Sequence, residues 1–261
     1  MQNVTKFIFF DFDGVIIDSE PLYQRFWIEA CKVHGFDLSI EQELSLRSQD
    51  HAITTKYFID TFGPEADYET IVKTRKELMN EYLKNTQIPV KSGVKEVFEY
   101  IKNNTDIRTA IVSSSSEDYV KHHASYNGVL SYIDKIVSVK NHVSRGKPYP
   151  DVYLKALEFT GAKKEEVIVL EDSPNGVTSA FNAGLRVIFI KDLSSADANI
   201  KKKTIYQLDN IKELIKIIQK DYEGYRHVLF LLVKKVDNLP DNYRYIPSQN
   251  TVIVSYLFLL F

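Results

Sequence analysis

Three groups of polar residues each follow directly on a short apolar run of the kind that forms buried strands. They are Asp11-Phe12-Asp13-Gly14 after Phe7–Phe10, Ser113-Ser114 after Ile111-Val112, and Glu171-Asp172-Ser173 after Val169-Leu170. In an open parallel sheet, ligands bind outside the carboxyl ends of the strands, so we expect the three groups to meet at one edge. A fourth group, Gly146-Lys147-Pro148, lies in a loop before a predicted helix.

These residue types favour chemistry on a phosphoryl group. Asp11 and Asp172, placed side by side, would repel each other unless a proton or a cation lies between them. A site with few protein ligands, all of them oxygens, suits Mg²⁺, which keeps several waters and bridges to phosphate. Lys147 supplies positive charge, while Ser113 and backbone N–H groups at the start of a helix donate hydrogen bonds to an anion.

The first group allows a division of labour between its two carboxylates. Asp11, which directly ends the strand, is our candidate nucleophile toward phosphorus, giving an aspartyl phosphate. Asp13 is displaced by the turn that Gly14 permits, and from there it could protonate the leaving oxygen and later deprotonate the attacking water. We expect Mg²⁺ to neutralise the transferring oxygens while Lys147 and Ser113 hold them in line.

The elements that must position these residues alternate between strands and helices, which predicts an α/β fold with a parallel sheet covered on both faces. The predicted strands are Phe7–Phe10, Arg108–Val112, Lys135–Val139, Val167–Leu170 and Val187–Ile190. Apolar residues at helical spacing follow Gly93 and Pro150.

One interval, from about Glu20 to Pro89, breaks the alternation, because it contains helix-like segments and no convincing strand. The predicted helices run from Pro21 to His34, Ser39 to Ser48, Ala52 to Phe62 and Tyr68 to Lys84. We therefore predict a helical insert, or cap, between the first strand and the rest of the sheet.

Composition restricts the classes of partner. The chain has 261 residues with 33 Lys and Arg against 35 Asp and Glu, a net charge of −2, so we expect no nucleic-acid or membrane-surface binding. The single cysteine, Cys31, excludes an internal disulfide. No targeting segment is evident, and the apolar runs Val228 to Val233 and Val252 to Phe261 fall short of a membrane span. We expect a cytoplasmic protein that is monomeric by default.

The four groups in this order resemble the four motifs of the haloacid dehalogenase superfamily, in its subgroup with a helical cap after the first motif. The residues that carry the resemblance are Asp11-Phe12-Asp13-Gly14-Val15, the strand end at Ser113, Lys147 with Pro148, and Glu171-Asp172-Ser173-Pro174-Asn175-Gly176. The resemblance implies a Rossmann-like core over residues 1–18 and 90–220, a cap over 19–89, and an extension of unknown role over 221–261.

The resemblance also implies roles for single residues. Asp11 would be the nucleophile and Asp13 the acid/base, and Ser113, Ser114 and Lys147 would bind phosphate. Mg²⁺ would be held by the side chains of Asp11 and Asp172 and the backbone carbonyl of Asp13, with Glu171 as an additional or supporting group. The presence of Asp13 argues against the dehalogenase branch, which is similar but uses no metal and lacks this aspartate.

Substrate selection is expected from the cap, where Glu20 and Arg47 are the candidate residues. The sequence departs from β-phosphoglucomutase, which it otherwise resembles, because Tyr23 stands where that enzyme has a histidine and Gln49 lies near the position of its phosphate-clasping arginine. We therefore predict a Mg²⁺-dependent phosphatase acting on a small phosphorylated metabolite such as a sugar phosphate. A phosphoglucomutase-like transferase and a non-catalytic protein-binding module are the alternatives.

Overall fold

The centre of the fold is a six-stranded sheet in which all neighbouring strands are parallel. The computed structural model describes residues 5–46, 51–193 and 196–221. Its strands are β1 (Phe7–Phe10), β2 (Arg108–Ser113), β3 (Lys135–Ser138), β4 (Val167–Glu171), β5 (Arg186–Ile190) and β6 (Tyr206–Leu208). Their order across the sheet is β3-β2-β1-β4-β5-β6. The predicted Rossmann-like α/β class is therefore confirmed.

Helices fill the intervals between the strands. They are α1 (Glu20–Val33), α2 (Ile40–Leu46), α3 (His51–Phe62), α4 (Tyr68–Leu83), α5 (Val94–Asn104), α6 (Glu117–Tyr126), α7 (Val139–His142), α8 (Asp151–Thr160), α9 (Pro174–Asn182) and α10 (Ala198–Lys203). A further helix covers 213–221, close to the helix predicted from Ile211 to Gln219. The four helices predicted between β1 and β2 are α1 to α4, and their ends shift by at most one residue where both ends are described.

The inner strands form because their residues are apolar on both sides of the pleat. All four residues of β1 are buried. Phe9 packs on one face of the sheet in a cluster with Tyr153 of α8 and Val177 of α9, and the ring of Phe10 lies 5.0 Å from that of Phe98 in α5. Alternate side chains of β1 therefore pack against helices on opposite faces of the sheet. This packing fixes the orientation of the strand and of the residues that follow it.

The helices α1 to α4 carry an apolar cluster of their own. It includes the buried side chains of Ala30, Cys31 and Phe58, and Trp27 of α1 stacks on Tyr68 of α4 with ring centroids 5.8 Å apart. These contacts hold α1 against α4 and set the surface that they present to the sheet edge. The residue boundaries of the cap given above remain a prediction.

Some elements were not predicted from the sequence. The edge strand β6 has two exposed residues out of three, so it lacks the apolar run that marks the inner strands. Helix α7 has only four residues, and α10 has a single buried apolar residue, Ile200. Short or exposed elements give weak periodicity, which explains why they escape a reading of the sequence.

The chain divides into two units, with the boundary after Asp221. The extension that we predicted over 221–261, with its two apolar runs, lies outside the described residues except for Asp221. Among the residues that the structure describes, no helix has the length and apolar character needed to cross a membrane.

Candidate active site

The predicted site residues meet at the carboxyl edge of the sheet because their strands are neighbours in register. In the ladder, Phe10 of β1 is aligned with Ile111 of β2 and with Leu170 of β4. The next residues along the chain, Asp11 and Glu171, therefore leave the sheet side by side. The strand order β2-β1-β4 thus places the first and last motifs in contact, as expected for a binding crevice at this edge.

Asp11, Glu171 and Asp172 form a compact carboxylate cluster. All three are buried, and each offers an oxygen within 4.8 Å of an oxygen of the other two. Burial, together with the charge of Asp11, raises the pKa values of Glu171 and Asp172 above their ordinary range. Carboxylates gathered in this way favour the presence of a cation among them.

Lys147 provides one such cation from the loop before α8. Its ammonium group donates hydrogen bonds to Asp11 Oδ1 at 2.7 Å, to Glu171 Oε1 at 2.6 Å and to the backbone oxygen of Val112 at 3.1 Å. Burial lowers the pKa of Lys147, but the charges of Asp11 and Glu171 more than offset this and raise it. The lysine is therefore charged and held at the carboxylate of Asp11, the predicted nucleophile.

Glu171 is committed to contacts within the protein. Besides Lys147, it accepts hydrogen bonds from the hydroxyls of Tyr153 at 2.5 Å and Ser173 at 3.4 Å. A Cβ atom on Gly176, in the first turn of α9, would lie 1.9 Å from Glu171 Oε2, so only glycine leaves room for this carboxylate. We infer that Glu171 anchors Lys147, and that Asp11 and Asp172 are the cluster members better placed to ligate a metal.

Asp13 is held apart from this cluster by different partners. Its carboxylate accepts hydrogen bonds from Ser115 at 2.8 Å and from Tyr119 at 3.3 Å. Burial, with the charge of Asp11 nearby, raises the pKa of Asp13 to about 6. A carboxyl group with this pKa can both give and take a proton near neutral pH, which is what an acid/base group requires.

The turn after β1 brings the backbone at Gly14 close to the carboxylate of Asp172. Gly14 has φ of +77°, and a Cβ atom there would lie 2.1 Å from Asp172 Oδ2. Glycine is needed at this position for both reasons, since it adopts positive φ without strain and leaves the carboxylate its place.

The turn at the end of β2 places the neighbouring serines Ser113 and Ser114 in different environments. Ser113 is fully buried and its Oγ accepts a hydrogen bond from the backbone N–H of Ser115 at 3.0 Å. Ser114 and Ser115 line the cleft, whereas Ser113 does not. The geometry therefore favours Ser114 for the phosphate-binding role predicted for Ser113 and Ser114, and gives Ser113 a part in shaping the turn.

A cleft of about 440 Å³ lies over this edge, closed on its other side by α1 to α4. Glu20, predicted from the sequence, lines it, as do Tyr23 of α1 and Arg75 of α4. Arg47, the other candidate in the cap, lies outside the described residues.

Several lining or supporting residues escaped the sequence analysis. Ser115 stood in a serine run whose register was ambiguous, and Tyr119 lies four residues further on, a helical spacing that could have connected them. For Tyr153 and Arg75 the sequence offers no such signal, because both come from distant helices.

Comparisons with known proteins agree with this geometry. The family model for haloacid dehalogenase-like hydrolases matches residues 8–190. Hexitol phosphatase A of Escherichia coli is 31% identical over 185 residues, covering 71% of this chain and 82% of that protein. The phosphorylated carbohydrates phosphatase of Thermotoga maritima is 27% identical over 191 residues, covering 70% and 83%.

Among solved structures, CbbY from Rhodobacter sphaeroides in complex with phosphate matches with a TM-score of 0.63 and 25% identity, covering 81% of this chain and 96% of that one. The family match extends from β1, through all four motifs, to the end of β5. The chain therefore belongs to the haloacid dehalogenase-like hydrolases.

Proposed function

We propose that the protein is a Mg²⁺-dependent phosphatase that hydrolyses a small sugar phosphate through an aspartyl phosphate on Asp11. The observation that carries the proposal is the meeting of Asp11 with Asp172 and Lys147 at the sheet edge, beneath a cleft of metabolite size. The coarser conclusion, that the chain is an enzyme of the haloacid dehalogenase-like phosphatase class, is confirmed by its family and its named relatives.

In the first half-reaction, a carboxylate oxygen of Asp11 attacks phosphorus. The new bond joins this oxygen to phosphorus, while the bond between phosphorus and the sugar oxygen breaks with its electron pair on that oxygen. Asp13 gives its proton to the departing oxygen, for which a pKa of about 6 is suitable.

In the second half-reaction, Asp13, now ionised, takes a proton from a water that attacks the aspartyl phosphate. Inorganic phosphate leaves and the Asp11 carboxylate is regenerated. Ser115 and Tyr119 hold the Asp13 side chain through both steps by their hydrogen bonds, so the proton is carried by a group of fixed position.

The donor set fits a hard divalent cation. Asp11 and Asp172 offer buried carboxylate oxygens close together, and we assign them, with the backbone carbonyl of Asp13, as the residues that would hold Mg²⁺. When bound, the ion supplies positive charge against the phosphoryl oxygens. Lys147 and Ser114 stabilise the same anion from the protein side.

The sugar-phosphate class is supported by the relatives named for hexitol and carbohydrate phosphates. The lining of the cleft fits such a molecule, since it combines the carboxylates of Glu20 and Glu43 with the aromatic side chains of Tyr23 and Trp27. Carboxylates accept hydrogen bonds from hydroxyls, and aromatic faces pack against the apolar faces of a sugar ring.

Replacing the nucleophile tests the proposal. Asp11→Asn keeps the size of the side chain and removes its charge, so phosphate release from hexose and hexitol phosphates in the presence of Mg²⁺ should fall at least about 100-fold. Asp60→Asn, an exposed change on α3, is the matched control and should retain wild-type rates.

Two results would contradict the proposal. A fall of less than tenfold in Asp11→Asn would remove the aspartate from its role as nucleophile. Conversion of a hexose 1-phosphate to its 6-phosphate isomer in the presence of a trace of bisphosphate, without release of inorganic phosphate, would replace hydrolysis by phosphoryl transfer.

A further inference from the structure

Arg75 of α4 is a cation in the wall of the cleft that forms no close ion pair with any of the described residues. Its guanidinium group lies over the rings of Tyr23 and Trp27, at 5.3 and 4.8 Å from their centroids. The Nε atom is buried without a hydrogen-bond partner in the described part of the chain. The described residues also offer this group no ion pair within 4.0 Å, although other arginines of the same helical insert, such as Arg25, are paired.

Such an arrangement is unfavourable in the free protein. Burial lowers the pKa of Arg75, and the nearby hydroxyls of Tyr23 and Tyr68 and the carboxylate of Glu20 compensate for this only in part. Buried charges in proteins are ordinarily paired. A guanidinium on the wall of a cleft that forms no direct ion pair is thus disposed to bind an anion that enters the cleft.

The two aromatic rings restrict how the guanidinium group of Arg75 can bind such an anion. Because the guanidinium lies over the rings of both Tyr23 and Trp27, two aromatic contacts restrain its position and pre-organise its fork of N–H donors. An oxyanion with two adjacent oxygens, either a carboxylate or a phosphate, matches this fork.

The position of Arg75 separates it from the phosphate that reacts. Lys147 and Ser114 stand on the sheet side of the cleft and Arg75 on the helical side. Tyr23 contacts residues of both sides, because its ring lies under Arg75 and its hydroxyl is close enough to that of Tyr119 to interact with it. Tyr119 in turn donates a hydrogen bond to Asp13. A ligand anchored at Arg75 would therefore extend past the acid/base group toward Asp11.

We propose that Arg75 binds a second anionic group of the substrate, so that the preferred substrates are phosphate esters with a carboxylate or a further phosphate at the end remote from the reacting phosphate. This inference rests on the proposed phosphatase function and specifies its substrate class. The carboxylate of Glu43, which also lines the cleft, accepts a hydrogen bond from Gln24 at 3.0 Å and forms no ion pair with Arg75.

The test compares matched pairs of esters that differ in the remote group. The first pair, 2-phosphoglycolate and 2-hydroxyethyl phosphate, tests the effect of a remote carboxylate. The second pair, glucose 1,6-bisphosphate and glucose 1-phosphate, tests the effect of a second phosphate. Wild type is compared with Arg75→Gln, which removes the charge, and with Arg75→Lys, which keeps it without the fork. Arg25→Gln is the control, since Arg25 also lies over two rings, of Phe26 and Tyr82, but does not line the cleft.

We expect wild type to favour the doubly anionic member of at least one pair by about tenfold or more in kcat/KM. In Arg75→Gln, kcat/KM for that ester should fall at least about tenfold, mainly through a higher KM. For the matched ester without the second anionic group, kcat/KM should change less than about threefold. Arg75→Lys should retain part of the preference, and Arg25→Gln all of it. The inference is overturned if wild type shows no preference, or if Arg75→Gln lowers both members of a pair equally.

Binding to the inactive enzyme separates this inference from the proposed function. Calorimetric titration of Asp11→Asn with glucose 1,6-bisphosphate and 2-phosphoglycolate should give affinity that falls about tenfold when Arg75→Gln is added. Unchanged affinity in both titrations overturns the role of Arg75, even where wild type hydrolyses simple esters. Conversely, affinity that depends on Arg75 in a wild type without turnover overturns the phosphatase and leaves the anion site in place.

Discussion

Lys147 makes it possible for three carboxylates to lie together at the sheet edge. Its hydrogen bonds to Asp11 and Glu171 place one positive charge between two of them, and a buried charge pair of this kind is strongly destabilised when one partner is removed. Asp172 is not reached by this lysine, and burial with the charge of Asp11 raises its pKa. Lys147 therefore offsets the charges of Asp11 and Glu171, whereas the carboxylate of Asp172 favours a further cation beside it.

A substitution at Gly176 tests how tightly the side chain of Glu171 is held in this arrangement. Alanine has a higher helix propensity than glycine, so Gly176→Ala in α9 would be stabilising if space allowed it. Since the new Cβ would lie 1.9 Å from Glu171 Oε2, we expect instead a loss of stability of about 1–3 kcal/mol, the range for an overpacked core, and a fall in activity of about tenfold or more. Denaturant unfolding and phosphate release measure the two effects.

The control for this change lies on the same helix. Asn182 is exposed at the end of α9, and Asn182→Ala should leave stability within about 0.5 kcal/mol and activity unchanged. If Gly176→Ala were as stable and as active as wild type, Glu171 would have room to move and its contact with Lys147 would not be required.

At the scale of elements, α6 connects Asp13, the proposed acid/base group, to the packing of the core. The helix begins after Ser116, which accepts a hydrogen bond from the backbone N–H of Tyr119 at 3.4 Å, and its first turn carries Tyr119 to Asp13. One turn later, His123 lies buried with its ring 4.4 Å from that of Tyr119. The helix thus positions the contact between Tyr119 and Asp13 at one end and a buried titratable ring beside it.

His123 predicts a pH dependence of stability. Burial, with His122 beside it, lowers the pKa of His123 from 6.5 to about 4. Between these values the unfolded chain takes up a proton at this residue and the folded chain does not, so this residue's contribution to stability is lost as the pH falls from 6.5 to 4. In His123→Phe that contribution is absent, and the melting temperature of the variant should rise relative to wild type over this range.

Melting curves at several pH values between 7 and 4 measure this difference directly. Tyr126→Phe, an exposed change on the same helix, should follow wild type at every pH. A difference between His123→Phe and wild type that stays constant from pH 7 to pH 4 would show that His123 does not have a depressed pKa in the folded protein.

At the scale of the whole molecule, the cleft joins a sheet edge that carries the reactive groups to a layer of helices that carries Tyr23, Trp27 and Arg75. The sheet side carries carboxylates together with Lys147, while the described part of the helical side carries aromatic rings, the carboxylates of Glu20 and Glu43, and the guanidinium of Arg75. A substrate between them would meet the phosphate-handling residues at one end and the residues that distinguish its remaining part at the other. Chemistry and specificity are thus assigned to different layers of the fold.

Metal binding should be visible as a change in the stability of the whole molecule. A ligand that binds only the folded state stabilises it by about 2.7 kcal/mol at 100 times its Kd, which for a protein of this size corresponds to a rise of several degrees in Tm. We expect Mg²⁺ to raise the Tm of wild type, EDTA to reverse the rise, and Asp172→Asn to abolish it. Asp60→Asn should keep it, and an equal rise in Asp172→Asn would place the ion elsewhere.

The inner strands and the groups that end them could be predicted from the sequence, and the structure confirms those strands. Strands that are buried on both faces need continuous apolar runs, and the polar residues that follow such runs in parallel neighbours must leave the sheet at the same edge. Asp11, Glu171 and Asp172 were found for this reason, without knowledge of any contact. The helices between β1 and β2 were predicted because their apolar residues repeat with the period of a helix.

Tertiary structure decided what surrounds those residues. Tyr153 reaches Glu171 from α8, Arg75 faces the cleft from α4, and the turn after β2 turns Ser114 toward the cleft and Ser113 into the interior. These contacts depend on how helices and loops pack across the sheet, and residues far apart in the chain leave no periodic signal of their meeting. Local pattern therefore specified the reactive groups, while packing between distant elements selected their partners and the features that would choose a substrate.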